Sequence, residues 1–161
     1  MKLDPGMRRT VTEQSLGFVA TVCPDGTPNV SPKGTVAVWG DEYLVFLDLR
    51  SPGTMRNLAA NPAVEVNVVD PIVRKGYRFK GVARVVSEGE EYEQILAWYA
   101  RERGSATDRV RAAVLIHVSD AAPLTSPAYD RGASEDEVAA RWREQHLEVD
   151  ARRREQQPPD A

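Results

Sequence analysis

Three β-rich segments follow one another in the first half of the chain with only short connections between them. GFVATV (17–22), NVSPKGTVAVW (29–39) and EYLVFLDL (42–49) are apolar and partly β-branched, a composition that favours strands. A Pro-Asp-Gly sequence and a Gly-Asp pair connect them, and both are typical of tight turns. Parallel strands need a long crossover, so this spacing predicts an antiparallel meander and excludes a parallel doubly wound sheet here.

The second of these segments is interrupted. Pro32 and Gly34 lie inside it, with Lys33 between them. Proline cannot donate to a strand ladder and glycine weakens a strand, so the pair is typical of a sheet edge or a bulge. We therefore expect a single irregular strand over 29–39.

Three further segments complete the predicted strands. They are 63–69, 77–86 and 112–118, which combine alternation with β-branched residues. Six short, mostly antiparallel strands predict a mainly β fold, a small barrel with flanking helices. Many strands are apolar on both faces, which indicates closure of the sheet or burial against a second subunit.

Two or three helices are expected between and after the strands. A short helix over 51–62 has Ser51 as its N-cap and Pro62 as its end. Capping boxes at Ser87–Glu90 and Ser134–Glu137 predict two more helices.

Composition excludes several classes of protein and site. The net charge of −3 argues against a nucleic-acid binder. The single cysteine, Cys23, permits no internal disulfide, and His117 and His146 belong to different elements, so we expect no metal site. Without an apolar span or a signal-peptide pattern, we expect a soluble cytoplasmic protein with no membrane partner.

An anion site is the one chemical feature that the residues themselves suggest. The start of the 51–62 helix offers free N–H groups and a partial positive charge. Hydroxyl and guanidinium groups lie next to it, and together they could cradle a phosphate. The residues are Arg50, Ser51, Thr54, Arg56 and Asn57. Plain helix capping beside solvated arginines would explain the same residues. No side chain stands out as a catalytic acid or base.

Taken in order, these motifs resemble the pyridoxamine 5′-phosphate oxidase-like family of FMN-binding split β-barrels. The resemblance is carried by FVATVCPDGTPNVSP, by RNLAANPAV where the short helix meets a strand, and by GVAR. It covers residues 14–119 and implies a six-stranded antiparallel split barrel. An N-terminal arm (1–13) would precede this FMN-binding domain, and a C-terminal loop and helix with a frayed tail (120–161) would follow it.

The resemblance also implies a cofactor, its contacts and a partner. FMN would lie at the interface of a homodimer, with its phosphate at the short helix and its ring beside the interrupted strand. Lys33 would bring positive charge to the N1/O2 edge of the ring, favouring the anionic reduced form. A lysine that guards a sheet edge would explain the same residue. The implied contacts are Ser31, Pro32, Lys33, Gly34, Thr35, Arg50, Ser51, Thr54, Met55, Arg56 and Asn57.

The reaction is less constrained than the cofactor. The family's basic phosphate-binding motif aligns with Pro52, Gly53 and Thr54, so its basic residues are absent here. Oxidation of pyridoxamine phosphate itself is therefore not expected. We expect an FMN-dependent oxidoreductase of an unspecified small molecule. The alternatives are a flavin carrier or sensor without turnover, and a deazaflavin-dependent reductase. The longer deazaflavin cofactor would need a more basic groove, which Arg74, Lys75 and Arg78 could supply.

Overall fold

Seven strands and four α-helices make up the computed structural model of the protein, which describes residues 1–156. No helix among these residues is long and apolar enough to cross a membrane. The helices are α1 (Pro5–Gln14), α2 (Pro52–Ala60), α3 (Glu90–Arg103) and α4 (Glu135–Gln156), with a 3₁₀ turn at Tyr129–Arg131. The strands are β1 (Gly17–Val22), β2 (Pro28–Lys33), β3 (Ala37–Trp39), β4 (Tyr43–Asp48), β5 (Ala63–Asp70), β6 (Lys75–Val86) and β7 (Ala112–Thr125).

All seven strands form one antiparallel sheet in the order β2-β1-β5-β6-β7-β4-β3. The two outermost strands, β2 and β3, are consecutive in the chain. Four peptide steps from Lys33 to Ala37 can span at most about 14 Å. A flat sheet of seven strands would separate its edges by about 29 Å, at about 4.8 Å per gap. The sheet must therefore curve until its edges approach each other, as a barrel split between β2 and β3.

This closure corrects the prediction of one irregular strand over 29–39. Lys33 ends β2, and a turn leads into β3, which lies at the opposite edge of the sheet. The expected antiparallel pairs are present, β1 with β2 and β3 with β4, but they do not form one meander, because β2 and β3 lie at opposite edges of the sheet. The strand count is consequently seven rather than six. The Pro-Lys-Gly interruption marks the split of the barrel.

The longest strands lie opposite the split. β6 pairs with β5 on one side and with β7 on the other, with a bulge between Lys80 and Gly81. β7 continues to Thr125, so the expected end of this strand at 118 was seven residues too early. Its second half pairs with the start of β6 and carries the chain to α4.

The barrel interior is a continuous apolar core that includes α1. Inward residues of the strands pack together, among them the fully buried Phe46 and Phe79. Leu3, Met7 and Val11 from the N-terminal segment join this core. The Asp4 carboxylate accepts a hydrogen bond from the Met7 N–H (2.9 Å), which caps α1. α1 was not among the predicted helices.

A second core lies between α3 and the outer face of β4 and β7. Ile95 and Tyr99 are fully buried there, with Leu96 and Tyr92 packed at the margin. These residues form the apolar face of the helix predicted after Ser87, but the capping box proposed for it is wrong. α3 begins at Glu90 behind Gly89, with no side-chain cap.

α4 is attached to the barrel mainly through its first turns. Ser134 and Glu137 form the predicted capping box, with Glu137 Oε2 accepting the Ser134 N–H at 2.8 Å. The Arg74 guanidinium lies 3.4 Å from the centre of the Trp142 ring. Residues 152–156, expected to fray, continue the helix, and the rest of that expected tail lies outside the described residues.

We expect the Tyr99→Phe substitution to destabilise the fold. The Tyr99 hydroxyl lies within hydrogen-bond distance of the Thr35 and Val45 carbonyls, so α3 holds the turn that follows β2. Leaving buried acceptors unpaired should cost about 1–3 kcal/mol in the free energy of unfolding, measured by denaturant titration.

The same variant should also change the response to alkaline pH. Burial raises the pKa of Tyr99 far above its ordinary value, so the unfolded chain loses this proton first. The stability that Tyr99 contributes is therefore complete below about pH 10 and declines above it. The stability gap between the wild type and Tyr99→Phe should narrow with rising pH. A constant gap up to about pH 11 would show that this hydroxyl is not buried.

Candidate cofactor site

Lys33 is the centre of the candidate site. It ends β2 and is only 6% exposed, an unusual burial for a lysine. Its ammonium donates hydrogen bonds to the hydroxyls of Ser31 and Ser51, the latter at 2.8 Å. It also lies 5.8 Å from the centre of the Phe46 ring. The end of β2 and the start of α2 are thereby held together around a buried cation.

The charge on Lys33 is incompletely compensated. Desolvation lowers the pKa of Lys33, and the nearby Asp48 carboxylate partly opposes this by raising it. Asp48 is itself buried and accepts the Ser51 N–H at 2.9 Å. Because the balance of these effects still disfavours the ammonium, a bound anion at this position would stabilise it.

The N-terminus of α2 lies beside this cation. Ser51 occupies the N-cap position, as predicted, but its side chain does not cap the helix and accepts from Lys33 instead. Pro52 has no N–H, and the N–H groups of Gly53 and Thr54 belong to the unpaired first turn. A Cβ added at Gly53 would meet no atom within 4 Å, so the space above this turn is open.

Two arginines stand near the same turn. Arg50 precedes α2 and Arg56 lies on it, and both side chains are exposed. Neither forms an ion pair with any carboxylate within residues 1–156. Together with Lys33 they place three positive charges at this end of the barrel, where Asp48 supplies one negative charge. The arrangement fits an anionic group such as a phosphate.

A chain of buried polar side chains fixes α2 against the β1–β2 hairpin. The Asn57 amide donates to Thr21 Oγ1 at 3.0 Å and to Cys23 Sγ at 3.4 Å. The Asn29 amide donates to the same hydroxyl at 3.2 Å. Asn57 and Thr21 are almost completely buried, so Asn57 orients the helix and has little surface to offer a ligand.

The other expected contacts are placed differently. The Thr35 hydroxyl accepts the Leu47 N–H at 2.9 Å, so it is used in a contact within the barrel. Pro32 lies on the outward face of β2 opposite Phe18, and Met55 packs against the core. Gly34 is exposed in the turn, and a Cβ there would meet nothing within 4 Å. Ser31, Lys33 and Ser51 are the predicted residues that the structure brings into direct contact.

Two residues of the site were not predicted: Asp48, which lies beside Lys33 and Ser51, and Thr21, which accepts a hydrogen bond from Asn57. Asp48 ends the apolar run of β4 and is buried, and an acidic residue at the end of such a run was the available signal. Thr21 gave no signal, because a threonine in a strand is ordinary.

The basic residues considered for a longer cofactor are engaged within the chain. Arg74 stacks on Trp142, Lys75 pairs with Glu135 at 2.8 Å, and Arg78 pairs with Glu65 at 3.1 Å. These contacts leave that groove with little free positive charge. No group of three potential metal-ligating side chains occurs in the part of the chain that the structure describes.

Comparison with solved structures shows the same fold in several proteins. HupZ from Group A Streptococcus aligns with a TM-score of 0.68 and 31% identity over 77% of this chain and 95% of that one. An F420 reductase aligns at 0.59 and 26% identity, over 74% and 98%. An FMN-binding protein from Syntrophomonas wolfei subsp. wolfei aligns at 0.63 over 75% and 85%, and at 13% identity this likeness shows the fold alone. The predicted mainly antiparallel split barrel with flanking helices is confirmed.

Comparison of the sequence identifies the family of the chain. No curated protein matches the chain. The family model described as pyridoxamine 5′-phosphate oxidase matches residues 3–125, from the segment before α1 to the last residue of β7. Because this match includes every strand and the whole candidate site, the chain belongs to the pyridoxamine 5′-phosphate oxidase family.

Proposed function

We propose that the protein is an FMN-binding oxidoreductase acting on a small molecule. The observation that carries this proposal is the buried Lys33 ammonium, held between Ser31 and Ser51 at the N-terminus of α2. A desolvated cation beside unpaired helix N–H groups is suited to a phosphate-bearing cofactor. When bound, FMN would supply the redox chemistry, while the protein supplies position and charge.

Each part of the cluster has a distinct role in this proposal. The first turn of α2 would bind the phosphate, with Arg50 and Arg56 adding charge from the solvent side. Lys33 would hold positive charge where β2 meets α2, and Ser31 and Ser51 would fix the direction of its ammonium. Asn57 and Asp48 would orient the helix and the Ser51 main chain without touching the cofactor.

Deazaflavin use is the second candidate, favoured by the similarity to an F420 reductase at 26% identity. The internal partners of Arg74, Lys75 and Arg78 argue against the extended basic groove that its longer tail would require. Parallel titrations of the purified protein with FMN and with the deazaflavin cofactor F420 distinguish the two. We expect tighter binding of FMN, and a preference for F420 would favour the second candidate.

Turnover separates an oxidoreductase from a flavin carrier. With FMN bound, we expect NADH or NADPH to bleach the flavin absorbance, and air to restore it through repeated cycles. Bound FMN that no nicotinamide donor reduces would favour a carrier or sensor.

We further propose that the protein forms a homodimer through the outward face of β2, β1, β5 and β6. Four large apolar side chains are exposed on this face of the sheet: Phe18 (46%), Val22 (37%), Val30 (60%) and Val82 (53%). Such a patch on a continuous sheet surface is typical of a protein interface. A second copy would cover this patch.

Val30→Glu should convert this dimer into a monomer, because a carboxylate buried at the interface would lack a partner. Light scattering coupled to size-exclusion chromatography measures the mass. Leu147→Glu is the matched control, since Leu147 is equally apolar and 70% exposed on α4, away from the patch. A monomeric wild type, or a Val30→Glu variant that stays dimeric, would contradict this interface.

A further inference from the structure

A cavity lies away from the candidate cofactor site. It has a volume of about 370 Å³ and opens between α1, the edge strand β3 and the C-terminal end of α3. This volume is within the range of small-molecule sites, about 300–1,000 Å³. Its lining consists of Thr12, Ala37, Val38, Trp98, Glu102 and Arg103.

Arg103 provides the charge in this cavity. Its guanidinium donates to the Val36 carbonyl at 2.8 Å, which fixes the side chain against the start of β3. No carboxylate of residues 1–156 pairs with it. The neighbouring Glu102, which also lines the cavity, is paired with Arg101 at 2.7 Å. A half-buried guanidinium with spare N–H groups is suited to a carboxylate ligand.

Trp98 provides a flat apolar wall. Its ring makes edge contacts with Trp39 and Tyr99, at centroid distances of 5.9 and 5.0 Å, which hold it in place. Ala37 and Val38 continue this apolar surface along β3. A rigid aromatic wall next to a single cation selects a ligand with a planar apolar body and one negative charge.

We propose that this cavity binds a small planar carboxylate, with Arg103 as its charge partner and Trp98 as the wall against its ring. The proposal is independent of the cofactor assignment, because none of the cavity's lining residues belongs to the Lys33 cluster. Arg103 also holds Val36, the residue that precedes β3.

The test uses benzoate as the probe and the indole N–H signals of the intact protein in ¹H–¹⁵N spectra. Single Trp→Phe variants assign the three tryptophan signals. Benzoate should shift the Trp98 signal saturably with a Kd on the order of 1 mM, as a ligand of this size can reach. Benzyl alcohol, of similar shape but uncharged, should bind at least about tenfold more weakly. No saturable shift, or equal binding of the two probes, would overturn the proposal.

Two variants test the role of Arg103. Arg103→Gln should weaken benzoate binding about tenfold or more, with folding checked by the dispersion of the spectrum. Arg109→Gln, which removes the same charge from a highly exposed position, should leave it unchanged. Equal effects of the two would reduce the interaction to a general attraction for anions and refute the site. If Arg103→Gln does not fold, the comparison of benzoate with benzyl alcohol on the wild type still decides.

Competition with FMN separates this site from the cofactor site. Benzoate should shift the Trp98 signal equally whether or not FMN has been added at saturating concentration. Displacement of FMN by benzoate would place the anion in the Lys33 cluster instead and would refute a separate cavity site.

Discussion

Lys33→Met should lower the affinity of the protein for FMN by about 10- to 150-fold, the equivalent of about 1.5–3 kcal/mol for charge-assisted hydrogen bonds. Methionine keeps much of the length and apolar volume of the lysine stem but removes the ammonium. The loss should be large because Lys33 is almost completely buried, so water cannot replace its charge. Fluorescence quenching of FMN on titration with protein measures the dissociation constant.

Lys2→Met is the control for the loss of one positive charge, because Lys2 is 80% exposed and distant in the fold from α2. It should leave the affinity unchanged. Arg56→Ala should have a smaller effect than Lys33→Met, since the exposed Arg56 acts through solvent. If Lys33→Met folds and binds FMN like the wild type, the buried cluster is not the cofactor site.

The pH dependence provides a second test of the same residue. Burial lowers the pKa of Lys33, so its ammonium should be lost at a lower pH than that of an ordinary lysine. The affinity of the wild type for FMN should therefore fall as alkaline pH removes this charge. The Lys33→Met variant should lack this dependence, and the same fall in both proteins would attribute it to another group.

Gly76→Ala should destabilise the barrel by about 3 kcal/mol, the upper end of the usual range for overpacking. Gly76 pairs with Val69 of the neighbouring strand β5, and a Cβ there would overlap the Val68 carbonyl oxygen and approach the Val69 Cα to 2.7 Å. Main-chain atoms cannot rotate away as a side chain can, so the pairing of β5 with β6 must shift. Denaturant titration gives the change in the free energy of unfolding.

Gly34→Ala is the matched control, because its added Cβ would meet no atom within 4 Å. It should change the stability by less than about 0.5 kcal/mol, as surface substitutions usually do. Equal stabilities of the two variants would show that β6 does not approach β5 as described. The Gly34→Ala variant also tests whether the turn needs a glycine, because the packing of the chain leaves room for a Cβ there.

The strands could be predicted from the sequence to a large extent, but the closure of the sheet could not. Alternation and β-branching identified β1, β4, β5 and β6 because these signals are local. The split between β2 and β3 depends on β3 pairing only with β4 and β2 only with β1, which local patterns do not encode. Pro32 and Gly34 indicated an interruption of the strand. Only the pairing of distant strands shows that the chain passes there from one edge of the sheet to the other.

The candidate site shows the same division. The α2 segment with Ser51, Arg50 and Arg56 could be selected as a candidate anion site, because helix starts and charges are visible in a sequence. The contact of Lys33 with Ser51 joins two elements 18 positions apart, and only the folded chain shows it. α1 was missed because its apolar residues complete the barrel core and so acquire meaning only once the barrel is formed.

The visible spectrum of the purified protein during titration with FMN tests the central claim most directly. We predict saturable binding at micromolar FMN, with one FMN per chain, a shift of the flavin absorption bands, and loss of this binding in Lys33→Met. A folded protein that stays colourless and leaves the spectrum of micromolar FMN unchanged would contradict the proposed function.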